Sequence, residues 1–364
     1  MKGDTSSYLT RNTRGIEAFG NLGSHISFYT SFYENQGGFF PHEMAHIDST
    51  GVIPGQGEGK EFKETQLDWS WVTGHLYIRA NRNLEFVLGY GKNFIGHGYR
   101  SIILSDQAFN YPYLRTQLNL LDKRLYFNTI WLQTQSWDHA FDFVSDHHNY
   151  QCTSYHILGW NPHVLKGLNL SFIEGVSGKD YTFAAADLRI SPIEHLNLYA
   201  QARLNNDDYA QQKTGYQAGI EVFNVFELFG VYQILRSVGV FRNNCPLKWH
   251  IQAEYNSNPM RITDPVEYRY TFGHYSEPLQ FSLKKETLLI TDLTLYRRFE
   301  VSLMHSDSDL RKFTDLKLSL IANPTTKWKF YLGTYKRSTA GNPEQKIIYF
   351  GTSICTERRY EREM

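Results

Sequence analysis

Two histidines flank a glutamate in His42-Glu43-Met44-Ala45-His46. At that spacing one turn of helix can hand two imidazoles to a zinc ion and a general-base carboxylate to its water. Pro41 could open such a helix, since a proline in the first turn forfeits no hydrogen bond. Gly51 and Pro54 end it quickly, however, and no third ligand stands nearby. His42, Glu43 and His46 are therefore read as incidental loop residues, with no metal expected. His147-His148 and the paired carboxylates Asp207-Asp208 also fall between patterned segments, where solvation is the default. Cys152, Cys245 and Cys355 are far apart, without Cys-x-x-Cys or metal-ligand spacing. They read as small residues on strands or in a loop, or as one disulfide with a thiol left over. There is no Gly-x-Ser-x-Gly elbow. The chain is read as non-enzymatic, with no catalytic residue and no cofactor.

A second stretch carries different chemistry. Gly91-Lys92-Asn93-Phe94-Ile95-Gly96-His97-Gly98-Tyr99-Arg100 continues through Ser101-Ile102-Ile103-Leu104-Ser105-Asp106 to Asn110-Tyr111-Pro112. Gly91, Gly96 and Gly98 open backbone shapes closed to other residues. Lys92, Asn93, His97, Tyr99, Arg100 and Asp106 supply donors, acceptors and charge, and are the candidate ligand- or lumen-binding residues. No Gly-Lys-Ser/Thr opens a helix here, which argues against a phosphate loop. Two readings stand. Residues 92–112 fold inward and plug or narrow a lumen through hydrogen bonds to its wall, or their polar groups meet sugar hydroxyls or an acidic polysaccharide.

The elements that must position this stretch are legible from alternation. Leu247, Trp249, Ile251, Ala253 and Tyr255 alternate with Lys248, His250, Gln252, Glu254 and Asn256. Leu196, Leu198, Ala200, Ala202 and Leu204 alternate likewise with Asn197, Tyr199, Gln201 and Arg203. The pattern recurs at 114–120, 168–172, 216–222, 316–322 and 328–332. A strand sends successive side chains to opposite faces, so each segment has one apolar and one wet face.

Connection lengths separate a membrane barrel from a soluble sandwich. Short turns at Asn81-Arg82, Asp122-Lys123, Asn161-Pro162-His163, Ser191-Pro192-Ile193-Glu194, Arg297-Arg298 and Asn323-Pro324-Thr325-Thr326 alternate with long connections. The long ones lie near 36–66, 92–112, 137–150, 205–215, 257–286 and 336–345. Outer-membrane barrels have short periplasmic turns and long extracellular loops, whereas a sandwich has no reason to collect its long loops at one end. Composition agrees: 37 Lys+Arg balance 37 Asp+Glu, which argues against a nucleic-acid partner. Aromatics reach 15%, suited to interfacial girdles. Mean hydropathy is −0.46 and no apolar run approaches the length of a membrane helix.

The expected fold is all-β: one large antiparallel transmembrane barrel of about seventeen to eighteen strands, forming a single domain over residues 1–364. Within it, residues 1–13 are the remnant of an N-terminal segment and 92–112 the candidate lumen loop. The first strand, Arg14 to Gly20, joins the second through the short turn Asn21 to Ser24. An odd count and an extracellular start point to one missing N-terminal strand, preceded by a missing export signal, because Met1-Lys2-Gly3-Asp4-Thr5 has no apolar core. The alternative is an extra strand or short helix at 226–235.

The stretch from Gly91 to Pro112 resembles the signature of the Wzi-type capsule-assembly family of outer-membrane barrels, in particular its Bacteroidota branch of RemB-like gliding-motility proteins. Further pieces are similar in order: Thr13-Arg14-Gly15-Ile16-Glu17, Phe39-Phe40-Pro41, Gly51 to Gly57, Tyr155 to Asn161, and Gly273 to Leu279. The resemblance covers nearly the whole chain. It departs where His97 replaces a more usual Asp or Asn, where the segments after Phe172 and Leu279 are shortened or rewritten, and where residues 226–246 look inserted. What the resemblance implies is a non-enzymatic outer-membrane barrel that assembles or attaches capsular or exopolysaccharide, or serves gliding and adhesion. Its partners would be outer-membrane lipid, surface polysaccharide and other envelope proteins. Trp137, Tyr150, Tyr268, Tyr270 and Tyr275 would form an aromatic platform on its loops. The alternatives are a porin-like channel for small solutes and a structural subunit of an envelope complex. A polar open bore favours the channel, and an inward-folded 92–112 segment favours the platform.

Overall fold

The computed structural model describes residues 9–39, 44, 47–48, 52–53, 56–63, 66–106, 110–137, 148–162, 167–177, 181–205, 214–223, 247–257, 285–295, 298–308, 311–323, 328–339 and 342–353. Alternation in the sequence becomes twenty strands. The first seven are β1 (Arg11–Leu22), β2 (Ile26–Gly37), β3 (Val52–Ile53), β4 (Gly57–Glu58), β5 (Lys60–Phe62), β6 (Gln66–Arg79) and β7 (Leu84–Gly91). The next seven are β8 (Tyr111–Leu120), β9 (Leu125–Trp137), β10 (His148–Trp160), β11 (Leu168–Ser177), β12 (Tyr181–Ile193), β13 (Leu196–Asn205) and β14 (Thr214–Val222). The last six are β15 (Leu247–Ser257), β16 (Lys285–Leu295), β17 (Phe299–Ser308), β18 (Arg311–Asn323), β19 (Trp328–Thr339) and β20 (Asn342–Ser353).

Eighteen of these form one sheet, and β3 and β4 make a small ribbon of their own. In the sheet β1 pairs with β2, β2 with β6, and each later strand with the next through β20, always antiparallel. The three-residue β5 occupies the end of the β6 edge that β7 leaves free beyond Gly74. Among the described residues seventeen strands therefore span the wall at full width, in line with the seventeen to eighteen expected from the alternation.

The two faces invert the order of a soluble protein. Leu198 and Leu204 on the outer face of β13 are 41% and 58% exposed, while Gln201 and Arg203 on its inner face are 2% and 1% exposed. Outward Leu316, Leu318 and Leu320 repeat this on β18, and Trp328, Phe330 and Leu332 on β19. An apolar belt around a polar interior is what a hydrocarbon solvent selects.

Inner-face rings lie flat across glycines on the neighbouring strand. Tyr199 faces Gly219, and Tyr349 faces Gly333, as direct cross-strand partners. A Cβ on either glycine would come within 2.1 Å of the ring, so only glycine admits the contact. Such pairs bury a large aromatic surface without crowding the bore.

Several boundaries differ from expectation. Residues 11–13 belong to β1, because their backbones continue the ladder to Gly37, Gln36 and Asn35. Tyr111 and Pro112 belong to β8. The connection expected at 336–345 is a tight hairpin, with Arg337 paired to Gln345 and Thr339 to Asn342. Polar strand ends there mimic a loop in composition while keeping strand pairing. Trp137 and Tyr150 likewise sit in β9 and β10 rather than in a loop. The strict alternation of turn lengths fails at both ends: residues 223–246 separate β14 from β15 at the short-turn end, and only residues 178–180, 309–310 and 340–341 separate β11 from β12, β17 from β18 and β19 from β20 at the long-loop end. Residues 226–235, 42–43, 46, 147, 207–208, 268, 270 and 275 lie outside those described.

Candidate functional site

The segment between β7 and β8 turns inward and crosses to the far side of the wall. It leaves Gly91, doubles back on itself through a hydrogen bond from Ile95 N–H to Leu104 carbonyl at 2.9 Å, and returns to Tyr111. Ser101 Oγ organises the bend, accepting from Ile103 N–H at 3.0 Å and Leu104 N–H at 3.2 Å and donating to the Ile95 carbonyl. Near its base Asn93 N–H donates to Tyr111 Oη at 2.9 Å, and Asn110 Nδ2 donates to Thr73 Oγ1 at 2.9 Å.

Two chemically distinct anchors hold it. Ile95, Ile102, Ile103 and Leu104 pack on Ile130, Leu132, Tyr155, Ile157, Ile173 and Phe183, giving β8 to β12 an apolar core inside the barrel. The second anchor is polar and lies on β12 to β16. Glu254 accepts the backbone N–H of Tyr99 at 2.8 Å with Oε2 and that of Arg100 at 3.2 Å with Oε1. The Arg100 guanidinium meets Glu286 through Nε at 2.7 Å and Nη2 at 2.9 Å. Gln217 Nε2 donates to the Arg100 carbonyl at 2.7 Å, and Arg203 Nη1 to the Ile102 carbonyl at 2.9 Å. Gln201 reads both strands of the bend, accepting from Ile102 N–H at 3.1 Å and donating to the Ile95 carbonyl at 3.1 Å. His97 Nε2 lies 3.2 Å from Asp187 Oδ2.

The glycines are there because the wall leaves no room. A Cβ on Gly96, whose φ is 138°, would fall 1.9 Å from Gln201 Nε2. On Gly98 it would fall 2.5 Å from Gln217 Nε2 and 2.6 Å from Glu254 Oε2. Burial works against the Arg100 charge, yet Glu286 and its neighbours hold the guanidinium above its ordinary pKa. Burial also pushes the Tyr99 phenol up to about 12, so it stays neutral. Lys92 is held below the usual lysine value by burial, partly offset by Asp106. A desolvated cation is tolerated only with such partners.

Of the six sequence candidates, Asn93, His97, Tyr99 and Arg100 are brought onto the wall, Lys92 lies at the segment's base, and Asp106 stays exposed. Sequence reasoning missed the receiving side: Asp187, Gln201, Arg203, Gln217, Glu254 and Glu286. The signal was a run of long polar residues on the wet face of β12 to β16, but alternation says only that they face inward.

Toward the short-turn end the inner wall of β14 to β19 is uncovered. His250 lies 3.2 Å from Glu221 and 3.5 Å from Asp292, and Lys329 pairs with Glu300. These side chains keep solvent access, with Asp292 at 45%, Lys329 and Glu300 at 29% and His250 at 27%. Lys317 Nζ stands 4.6 Å over the Tyr331 ring, and Tyr349 Oη donates to Asp315 at 2.7 Å.

Phe39, Ile47 and Ile53 of the first long connection form a separate apolar cluster with Leu67 and Trp69 of β6, and Met44 packs against it. Trp69 Nε1 donates to Gln56 Oε1 at 2.6 Å. His42, Glu43 and His46 lie outside the described residues, and among the described residues no group of three potential ligands could hold a metal. Cys152 is an exposed free thiol on β10.

No family model matches the chain, and no curated protein does. Solved structures do. The outer membrane protein OpdK of Pseudomonas aeruginosa superposes with a TM-score of 0.52 at 8% identity, covering 94% of this chain and 92% of that one. OccAB4 of Acinetobacter baumannii gives 0.51 at 7% identity, covering 97% and 94%. A second structure of Pseudomonas aeruginosa OpdK, determined with vanillate, gives 0.50 at 8% identity, covering 95% and 97%. The shared property is the fold of an outer-membrane β-barrel.

Proposed function

We propose that this is a porin-like channel of the bacterial outer membrane for small solutes, non-enzymatic, with the segment 92–110 setting its constriction. One observation carries the reading: the inward segment covers the polar wall toward the long-loop end and leaves it open to solvent toward the short-turn end. Glu254 and Glu286 beneath it are each 2% exposed, while Asp292, Lys329 and Glu300 outside it remain 29–45% exposed. A wall lined with charged, hydrated side chains beside a fixed internal loop suits passage of small polar molecules. The structure of OpdK with vanillate lends support, since it pairs a barrel of this fold with a small organic molecule.

A second reading is attachment or assembly of surface polysaccharide, in the manner of the Wzi-type barrels. It is favoured by the inward fold of residues 92–106, which belong to the region that carries that resemblance.

Planar-bilayer recording of the protein separates the two. The channel reading expects steady conductance from the intact protein and a larger one after deletion of residues 93–110. A silent parent with a conducting deletion variant would overturn it and make the attachment barrel the leading reading.

A further inference from the structure

One sector of the outward face breaks the apolar rule. Thr116 on β8, Thr129 on β9, His156 on β10 and Glu174 on β11 form a row, each directly opposite the next. They share their face with Leu114, Leu118, Phe127, Trp131, Leu158 and Phe172, which are 36–58% exposed. The row therefore lies on the surface that meets lipid. His156 stands four residues from Trp160, the outward ring at the short-turn end, which places it about 10 Å into hydrocarbon about 25 Å deep. Four residues in from the same end, β13 carries Ala200 and β15 carries Ile251 on the outward face. His305 also points outward, but it lies near the long-loop end of β17, where its Nδ1 meets Thr314 Oγ1 at 2.8 Å.

Within one chain the row is only half satisfied. The His156 ring leans toward β9, with Nδ1 3.5 Å from Thr129 Oγ1, between the parallel Phe127 ring at 6.4 Å and the edge-on Trp131 ring at 6.5 Å. It leans away from Glu174. That side chain is exposed, and among the described residues no hydrogen bond or ion pair reaches its carboxylate. An ionisable group at this depth is costly against lipid, and such groups in membrane proteins face protein or pair with one another.

We propose that the seam between β10 and β11 is an intramembrane contact between two copies of this chain, related by a two-fold axis along the membrane normal, with His156 of each copy meeting Glu174 of the other. Charge complementarity selects this occupant. A two-fold axis through the seam lays β10 of one copy over β11 of the other and preserves depth, so a base and an acid side by side in one row become complementary to themselves. At a barrel's strand tilt the two positions differ in depth by only about 3 Å. Sheets facing each other stand about 10 Å apart, a gap that a histidine and a glutamate span together. Leu158 and Phe172 then close around the two pairs. Phe127 and Trp131, one strand further out, lie on the rim, where two convex walls diverge and acyl chains still reach them. The inference holds whichever function above is correct, and its test reads no conductance.

The test photolyses the full-length protein in native outer membranes. A tagged copy carrying a benzophenone amino acid at position 158 is expressed beside an untagged copy, and the products are mapped by mass spectrometry. A control places the same amino acid at position 198, on the outward face of β13. The expected result is a two-copy product from position 158, joined to β10 or β11 of the untagged copy, and only lipid adducts from position 198. Glu174→Gln and His156→Glu, each made in both copies, should lower the two-copy yield about tenfold. His156→Glu combined with Glu174→His exchanges acid and base, and should restore it. Heat-dependent gel migration verifies that each variant is a folded barrel. Lipid adducts alone from position 158, or a product carrying another polypeptide, would overturn the proposal. So would an undiminished yield from Glu174→Gln, or a double variant that fails to recover.

Discussion

Arg100 carries a full charge into a site where it is only 2% exposed, matched by a Glu286 that is equally buried. Such a pair contributes little over an apolar equivalent, but losing one member leaves the other charge desolvated and alone. Arg100→Met should therefore unseat the segment, at a cost of about 3–5 kcal/mol. Arg100→Met combined with Glu286→Met should recover most of it. Amide exchange at Ile95 and Ile102, whose N–H groups are tied to the Leu104 carbonyl and to Gln201, is the measurement. The single variant should exchange about two to three orders of magnitude faster and the double variant close to the parent. Equal acceleration in both would mean that the charge pair does not seat the segment.

At the scale of elements, the inward segment is held by two unlike interfaces. Its isoleucines lie on β8 to β12 and its polar turn on β12 to β16. Weakening only the polar interface, by Glu254→Ala with Gln217→Ala, should loosen the turn at Tyr99 and Arg100 while Ile102 and Ile103, 1% and 0% exposed, stay seated. The conductance expected is intermediate between the parent and the 93–110 deletion, with open-state noise from the freed turn. A variant indistinguishable from the deletion would show that the apolar half cannot hold alone. How much of this was legible follows from the periods involved. Leu198 and Gln201 announce their faces because a strand repeats every two residues. Arg100 and the glycines announce an irregular segment because no period fits them. That Arg100 finds Glu286, far along the chain, depends on how the wall curls, and nothing local encodes it. The hairpin at 339–342 was misjudged for a related reason: Lys336, Arg337 and Ser338 look like loop in composition, yet they stay in register with β20 or β18.

For the whole molecule, the assignment of inside and outside fixes where each aromatic ring must sit in a bilayer. Trp131 points outward midway along β9, 44% exposed, while Trp160 and Trp328 point outward at the short-turn end, 48% and 43% exposed. Trp71 points inward, stacked on Tyr33 with ring centroids 5.1 Å apart. Hydrocarbon about 25–30 Å deep separates these positions, and interfacial rings anchor at its borders. Variants that keep one tryptophan, reconstituted with lipids brominated at different depths, should report this order by fluorescence quenching. Trp131 should be quenched most by bromines deep in the acyl chains, and Trp160 and Trp328 most by shallow ones. Trp71 should be nearly insensitive to either. Strong quenching of Trp71 by deep bromines would place lipid on the face that carries Gln201, Glu254 and Asp292. That face would then have to desolvate charges in hydrocarbon, so the result would overturn the orientation of the wall and the channel reading with it.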